Sequence, residues 1–208
     1  DPWLDVVDHW ERLVRVSIEA LGVPKGELLQ PFQAGGALRP DRSHLFKGRR
    51  QLTEHVVREV AGVGRSPIIL HGPRQCGKSS FLLHLSRLLS PGILPVYVDL
   101  QSQAITSSES EFCFRLITAA IRDLRGVCPR VQQLPKVERA AFQPNPYPIF
   151  EDWIDSLLES IENNGLLICI DEFEKLGKAM ERGNMSTAIF DELRHLSQHR
   201  DRLRFIFC

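Results

Sequence analysis

The chain has 208 residues, 26 Lys+Arg against 26 Asp+Glu, a formal net charge of zero, 43% hydrophobic and 8% aromatic residues. A domain of this length buries about 70% of its unfolded surface, so it needs no disulfide or metal staple. The balanced charge gives no global field for capturing nucleic acid or an anionic membrane.

From Trp3 to Leu21, apolar residues at three- and four-residue spacing predict an amphipathic helix that Gly22 and Pro24 end. Pro24, Gly26, Pro31, Gly35, Gly36 and Pro40 then make the chain to Gly48 an irregular connector, followed by a helix over Gln51 to Val60. After Gly62 and Gly64, Ile68-Ile69-Leu70 reads as a buried parallel strand. A helix over Ser79 to Leu89 and a strand over Leu94 to Val98, ending at Asp99, complete a β-α-β unit. Glu109 to Arg125 reads as a helix and the proline-rich Gly126 to Pro148 as a surface excursion. A helix over Phe150 to Asn163, a strand over Leu166 to Ile170, an acidic turn, a helix over Ser186 to His199 and a strand over Leu203 to Phe207 follow. Strands alternating with helices predict an α/β domain with a parallel sheet.

No apolar run approaches the roughly 20 residues that cross a bilayer, and Asp1-Pro2-Trp3-Leu4-Asp5 is not a signal peptide. Cys76, Cys113, Cys128, Cys169 and Cys208 are odd in number and scattered, which fits reduced thiols in a cytoplasmic protein without membrane partners.

The segment Gly72-Pro73-Arg74-Gln75-Cys76-Gly77-Lys78-Ser79 matches G-x-x-x-x-G-K-[ST] between a predicted strand and a predicted helix. Gly72 and Gly77 free the backbone to turn successive N–H groups toward phosphate oxygens at the positive end of the next helix. Lys78 is expected to neutralise the β- and γ-phosphates, and Ser79 to offer one hard oxygen to Mg2+. Ser80 joins the cofactor-binding stretch as a first-turn residue.

The second constellation is the strand Leu166 to Ile170 followed by Asp171-Glu172. Ligands of doubly wound sheets sit at the carboxyl ends of strands, so these carboxylates are expected beside the phosphates despite about 90 residues of separation. Asp171 is the expected Mg2+ ligand and Glu172 the catalytic base for an attacking water. A guanine reader of the N-K-x-D kind is missing, and Asp123-Leu124-Arg125-Gly126 falls at a helix end, so ATP is preferred over GTP.

The runs Leu45-Phe46-Lys47-Gly48-Arg49-Arg50, Pro67 to Leu82, Pro95-Val96-Tyr97-Val98-Asp99-Leu100 and Ile170-Asp171-Glu172-Phe173-Glu174 resemble the NTPase module of STAND-type ATPases, relatives of AAA+ proteins. The resemblance spans Ala34 to Cys208. It implies a three-layer phosphate-loop fold of the additional-strand, catalytic-Glu class, with the Leu203 strand between the Ile68 and Leu166 strands. It also implies adenine contacts from Phe46, Gly48 and Arg49, and an ATP/ADP-driven conformational or assembly switch in a regulatory or defence protein, by self-assembly or with protein partners. Residues 1–40 then form a helical segment and connector, and 41–208 an ATPase core expected to stop after its fourth core strand. Two other functions stay open: an ATP-bound scaffold that does not hydrolyse, and an AAA+-like ATPase acting on DNA.

Other residues carry weaker signals. His195 and His199 have metal-compatible spacing but no visible third ligand and flanking arginines. Arg194, Arg200, Arg202 and Arg204 could form a basic stripe or supply a trans-acting arginine, yet without interleaved aromatics they are weak support for nucleic-acid binding. Cys76 lies where a thiol can be acidified and its modification could block nucleotide, although a passive role is the simpler reading. Asp99, at the tip of the second strand, is read as bonding local backbone, with a place facing the nucleotide site as the other reading.

Overall fold

The computed structural model describes residues 2–20, 36–62 and 66–208. The predicted helix stop at Gly22 and Pro24, and the breakers Gly26, Pro31, Gly35 and Gly64, lie outside the described residues. Two compact units divide the chain, Asp1–Gln33 and Ala34–Cys208. The first contains helix α1 (Pro2–Ala20), with Glu11 and Arg15 paired at 2.7 Å one turn apart. Such an exposed pair contributes about 0.3–0.5 kcal/mol.

The second unit follows the predicted alternation. Helix α2 (Arg50–Ala61) leads to strand β1 (Ile68–Ile69), helix α3 (Lys78–Leu88) and strand β2 (Ile93–Asp99). Helices α4 (Glu109–Leu124) and α5 (Tyr147–Ser160), strand β3 (Gly165–Asp171), helices α6 (Glu174–Glu181) and α7 (Ala188–His199) and strand β4 (Leu203–Phe207) complete it. All strand pairs are parallel, in the order β1-β4-β3-β2, so β4 lies between β1 and β3 as the resemblance implies.

Side-chain alternation splits the sheet into two cores and makes three layers. Val96, Ile168 and Phe205, in register across β2, β3 and β4, face the core built with α4, α5 and α7. Leu167, Cys169 and Ile206 face the opposite core, built with Val56 and Val60 of α2 and Phe81, Leu82 and Leu85 of α3. Because β3 is covered on both faces, Leu166 to Ile170 are all buried, which is why its sequence is continuously apolar rather than alternating. Pro95 fits β2 because β2 is an edge strand, where a missing N–H leaves no ladder bond broken. At the start of α4, the Ser108 hydroxyl accepts from Glu111 N at 3.2 Å, with Glu109 and Glu111 in the first turn.

Two local expectations are corrected. The stretch read as a surface excursion packs onto the core through two short 3-10 turns, Pro129–Gln133 and Arg139–Phe142. Val131 and Phe142 are buried, while Leu134 and Val137 pack beside them. The prolines break long helices but do not stop single apolar residues from anchoring the chain. Pro148 belongs to the first turn of α5, where an N–H has no intrahelical acceptor anyway. The acidic turn continues into α6, whose Leu176 and Ala179 are buried and whose charged residues outnumber them enough to hide the stripe in sequence.

A buried carboxyl adds pH sensitivity. Glu192 of α7 is 8% exposed, and its Oε1 has no hydrogen-bond partner among the described residues. Burial, then the charge of Glu151, pushes its pKa up to about 7 against the opposing pull of Arg200. The folded state therefore binds this proton more tightly than the unfolded chain, where the group sits near 4.5. The stabilisation is fully present below that value and is lost as pH rises through about 7.

Two outcomes are expected. Phe142→Ala should lower unfolding free energy by about 3–5 kcal/mol in urea titrations, as for a core phenylalanine; a change below about 0.5 kcal/mol would restore the surface-excursion reading. Glu192→Gln should melt at a higher temperature than wild type at pH 8, and that advantage should shrink toward zero by pH 5.

Candidate functional site

Strand β1 delivers the phosphate-loop segment to the carboxyl edge of the sheet, where Leu70 N donates to Phe207 O at 2.8 Å. Gly72 is tightly packed: a Cβ there would lie 3.0 Å from Cys76 Sγ and 3.8 Å from Lys78 Cδ, so the Cys76 side chain would have to shift. Gln75 and Gly77 have φ values of 60° and 84°, and this left-handed backbone curls the loop before α3 begins at Lys78. Such alternation turns backbone N–H groups toward a common centre, at the positive end of a helix dipole. Lys78 spans the loop, its Nζ 3.1 Å from both Gly72 O and Pro73 O. The loop, its lysine and the helix terminus thus form a cationic cradle whose polarity suits phosphates.

The Phe46–Arg49 element meets this cradle. Phe46 stacks on His84 of α3, with ring centroids 4.4 Å apart and planes within 7°. Gly48 and Arg49 are both left-handed, with φ of 83° and 59°. That pair of turns lays the Arg49 guanidinium over Gly77, its Nη2 3.0 Å from where a Cβ would stand. A non-glycine residue held at positive φ costs about 1–3 kcal/mol, a strain that persists where the surroundings impose it. The Ser80 hydroxyl accepts from Leu38 N at 2.9 Å, which ties the incoming chain to the first turn of α3.

The acidic turn at the end of β3 lies along the same edge. Asp171 is 4% exposed, and its two oxygens accept from Tyr97 Oη at 2.8 Å and from Glu172 N at 3.0 Å. Glu172 is left-handed, with φ of 57°. Its turn is fastened to β4 by Cys208 N donating to Ile170 O at 2.9 Å and Phe173 N donating to Cys208 O at 2.7 Å. Phe173 also stacks on Phe207 at 4.3 Å. Burial, then the Asp171 charge and hydrogen bond, drive the Tyr97 phenol well above its usual range. It therefore remains a neutral donor to that carboxylate. Burial and Asp171 also push the Cys208 thiol up to about 12.

Tyr97 was not singled out in sequence as a support for Asp171, although alternation along β2 and parallel pairing with β3 put Tyr97 beside Cys169, two residues before Asp171. Asp99 turns away from this role: its Oδ1 accepts from Gln101 N at 2.8 Å, the local capping expected of it. Asp123, at the start of the D-x-x-G match, accepts from Tyr97 N at 2.9 Å through Oδ2 and supports β2.

The histidines and arginines toward the end of the chain lie elsewhere. The His195 and His199 rings lie 4.5 Å apart at a tilt of 43°, and His195 Nε2 is 3.6 Å from Glu151. Among the described residues, no group of three or more His, Cys, Asp or Glu side chains is arranged to hold a metal. The arginine stripe is largely consumed internally. Arg200 pairs with Asp155 at 2.8 Å, Arg202 donates to Leu158 O at 2.7 Å, and Arg204 donates to Asp201 O at 2.9 Å. Arg194 is exposed. No helix among the described residues is long and apolar enough to cross a membrane.

Comparison with known proteins bears on this geometry. Residues 60–208 match the family described as AAA domain. No curated protein matches the chain. Among solved structures, the Aeropyrum pernix ORC2 protein, in ADPNP-ADP complexes, is similar with a TM-score of 0.48 and 16% identity. The likeness covers 83% of this chain and 42% of that protein, so the chain spans less than half the length of that relative. The phosphate loop at the end of β1 falls inside the matched residues, together with the whole sheet, and the chain belongs to the AAA domain family of nucleotide-binding phosphate-loop proteins.

Proposed function

We propose that this domain binds ATP with Mg2+ at the carboxyl edge of the sheet and hydrolyses it to drive a conformational or assembly switch of the STAND type. The observation that carries the reading is the convergence at one edge of a phosphate cradle, Gly72 to Ser79, with a buried carboxylate and an adjacent one, Asp171 and Glu172. The backbone of Gly72, Pro73, Arg74, Gln75, Cys76 and Gly77 would surround the phosphates. Lys78 would exchange its two carbonyl partners for phosphate oxygens, which strengthens each contact because both partners are then charged.

The residues present fit Mg2+. A carboxylate has about four lone-pair sites, and Asp171 engages Tyr97 Oη, Glu172 N and the Cys208 thiol, which leaves one for the ion or its water shell. The Ser79 hydroxyl would supply the other protein oxygen. Bound there, the metal would neutralise charge that builds on the β- and γ-phosphates. The chain's own contribution is positional. Tyr97 holds one Asp171 oxygen and the Glu172 amide holds the other, while the left-handed turn sets Glu172 one residue beyond, where it would orient water and accept its proton. Arg49, lying on Gly77, is placed to add charge from the Phe46–Arg49 side.

The docking of Phe46, Gly48 and Arg49 against α3 and the cradle supports the STAND assignment within the AAA class. The internal engagement of Arg200, Arg202 and Arg204 argues against a DNA-binding stripe, since a basic footprint needs guanidiniums that are free for phosphate.

Two substitutions separate binding from turnover. Lys78→Ala should weaken ATP binding about 10- to 100-fold or more by calorimetry, the cost of about 1.5–3 kcal/mol for charged hydrogen bonds. Glu172→Gln should leave ATP affinity within about twofold and reduce phosphate release by about 10²- to 10⁴-fold. Wild-type turnover in Glu172→Gln would remove Glu172 from the reaction, and undiminished binding in Lys78→Ala would remove the cradle from nucleotide recognition.

A further inference from the structure

One thiol lies in the phosphate loop and another at the end of the strand beside it. Sheet alternation puts Cys208 on the same face as Ile206 and Cys169, the face that α3 covers. The parallel β1–β4 register, with Ile69 opposite Phe207 and Leu70 N bonded to Phe207 O at 2.8 Å, sets Cys208 beside the start of the phosphate loop. On the loop, Cys76 Sγ packs directly over Gly72, 3.0 Å from the position a Cβ would take. Lys78 Cδ lies 3.8 Å from the same position. Burial, then the Asp171 charge and hydrogen bond, hold the Cys208 thiol protonated, against the opposing pull of Lys78. The other cysteines are placed differently: Cys113 and Cys169 are sealed in the two cores, and Cys128 bonds to Ser160 O.

We propose that Cys76 and Cys208 are a redox pair, whose disulfide ties the phosphate loop to the end of β4 and closes the cradle. The loss of nucleotide that follows rests on the cradle being the ATP site, whereas the disulfide itself does not. All five cysteines are free thiols in this structure. A peroxide oxidises the Cys76 thiol to a sulfenic acid and releases one water. Because its raised pKa leaves little free thiolate, the Cys208 sulfur gives up its proton to the departing hydroxyl as it attacks Cys76 Sγ: the S–S bond forms, the S–O bond breaks, and the hydroxyl leaves with that proton as a second water. Two thiols lose two electrons and two protons, and one hydrogen peroxide becomes two waters.

The movement needed falls on the loop. A disulfide brings Cα atoms to about 5.5–6 Å, and Cys208 is tied to the end of β3 and the turn after it by Cys208 N to Ile170 O and Phe173 N to Cys208 O, while Leu70 N to Phe207 O holds the β1 side. Cys76 N, by contrast, makes a long 3.4 Å bond to Pro73 O. Drawing Cys76 toward β4 would unwind the left-handed Gln75 and Gly77 turns that aim the amides inward. Bound phosphate would oppose the same movement, so nucleotide and disulfide should exclude each other.

The test treats the full chain, carrying Cys128→Ser to remove the remaining partly exposed thiol, with stoichiometric hydrogen peroxide. Peptide mapping without reduction should show a 76–208 link and a loss of two hydrogens, and affinity for a fluorescent ATP analogue should fall at least tenfold and recover in dithiothreitol. Prior loading with ATP and Mg2+ should suppress the link, and Cys208→Ser should abolish it. Oxidation of Cys76 without the link, or a link that leaves affinity unchanged, would overturn the proposal. If the reduced protein binds no ATP analogue at all, the ATP reading of the cradle fails, while the peptide map still decides the disulfide.

Discussion

The insertion of β4 between β1 and β3 is the constraint on which the site depends. The loop at the end of β1 and the acidic turn at the end of β3 are distant in sequence, and the shortest of the ladders, Ile68–Ile69 with Ile206–Phe207, joins them through β4. Parallel pairing aligns all four carboxyl ends along one edge, which is where an open α/β sheet leaves a crevice. The ladder is secured from both faces. Ile206 enters the core with α2 and α3, while Phe205 and Phe207 enter the core with α4, α5 and α7. Burial of side chains of this size contributes about 1.5–3 kcal/mol each, enough to oppose the loop-closure entropy of a long crossover.

That arrangement creates an electrostatic demand which local structure meets. Asp171 is nearly buried, and a buried carboxylate is costly without donors. Tyr97 from β2 and the amide of Glu172 supply them, one from a neighbouring strand and one from the turn itself. Opposite, the α3 terminus and Lys78 concentrate positive potential in a protein whose formal charges sum to zero. Backbone strain gathers at the same place. Gln75 and Glu172, neither of them glycine, are left-handed within the loop and the acidic turn, and Arg49 is left-handed where its element meets Gly77. These are three of the four non-glycine residues at positive φ among the described residues; the fourth, Glu162, lies in the connection between α5 and β3.

Much of this was legible in the sequence because it is periodic or local. The β-α-β unit shows in the change from strand to helical spacing around Gly72 to Ser79, and the continuous apolar run of Leu166 to Ile170 announces a strand buried on both faces. The 3-10 turns anchored by Val131 and Phe142 were obscured because proline density masks isolated apolar anchors that have no period. Helix α6 was hidden because it is eight residues long and buries only Leu176 and Ala179. The arginines near β4 looked like a surface stripe, since their partners Asp155 and the carbonyls of Leu158 and Asn164 lie about 40 residues away in the chain.

The glycine-lysine-serine loop between strand and helix and the carboxylate pair after an apolar strand can be read from residue order alone, because those features depend on backbone freedom and residue type at fixed local spacing. Which distant groups meet at the carboxyl edge depends on the assembled sheet. Tyr97 on Asp171, Arg49 over Gly77 and Cys208 beside the phosphate loop follow from strand order, register and side-chain alternation. These relations exist only once the sheet is assembled, because a parallel neighbour is chosen by long crossovers and two-sided burial rather than by any residue near it in sequence.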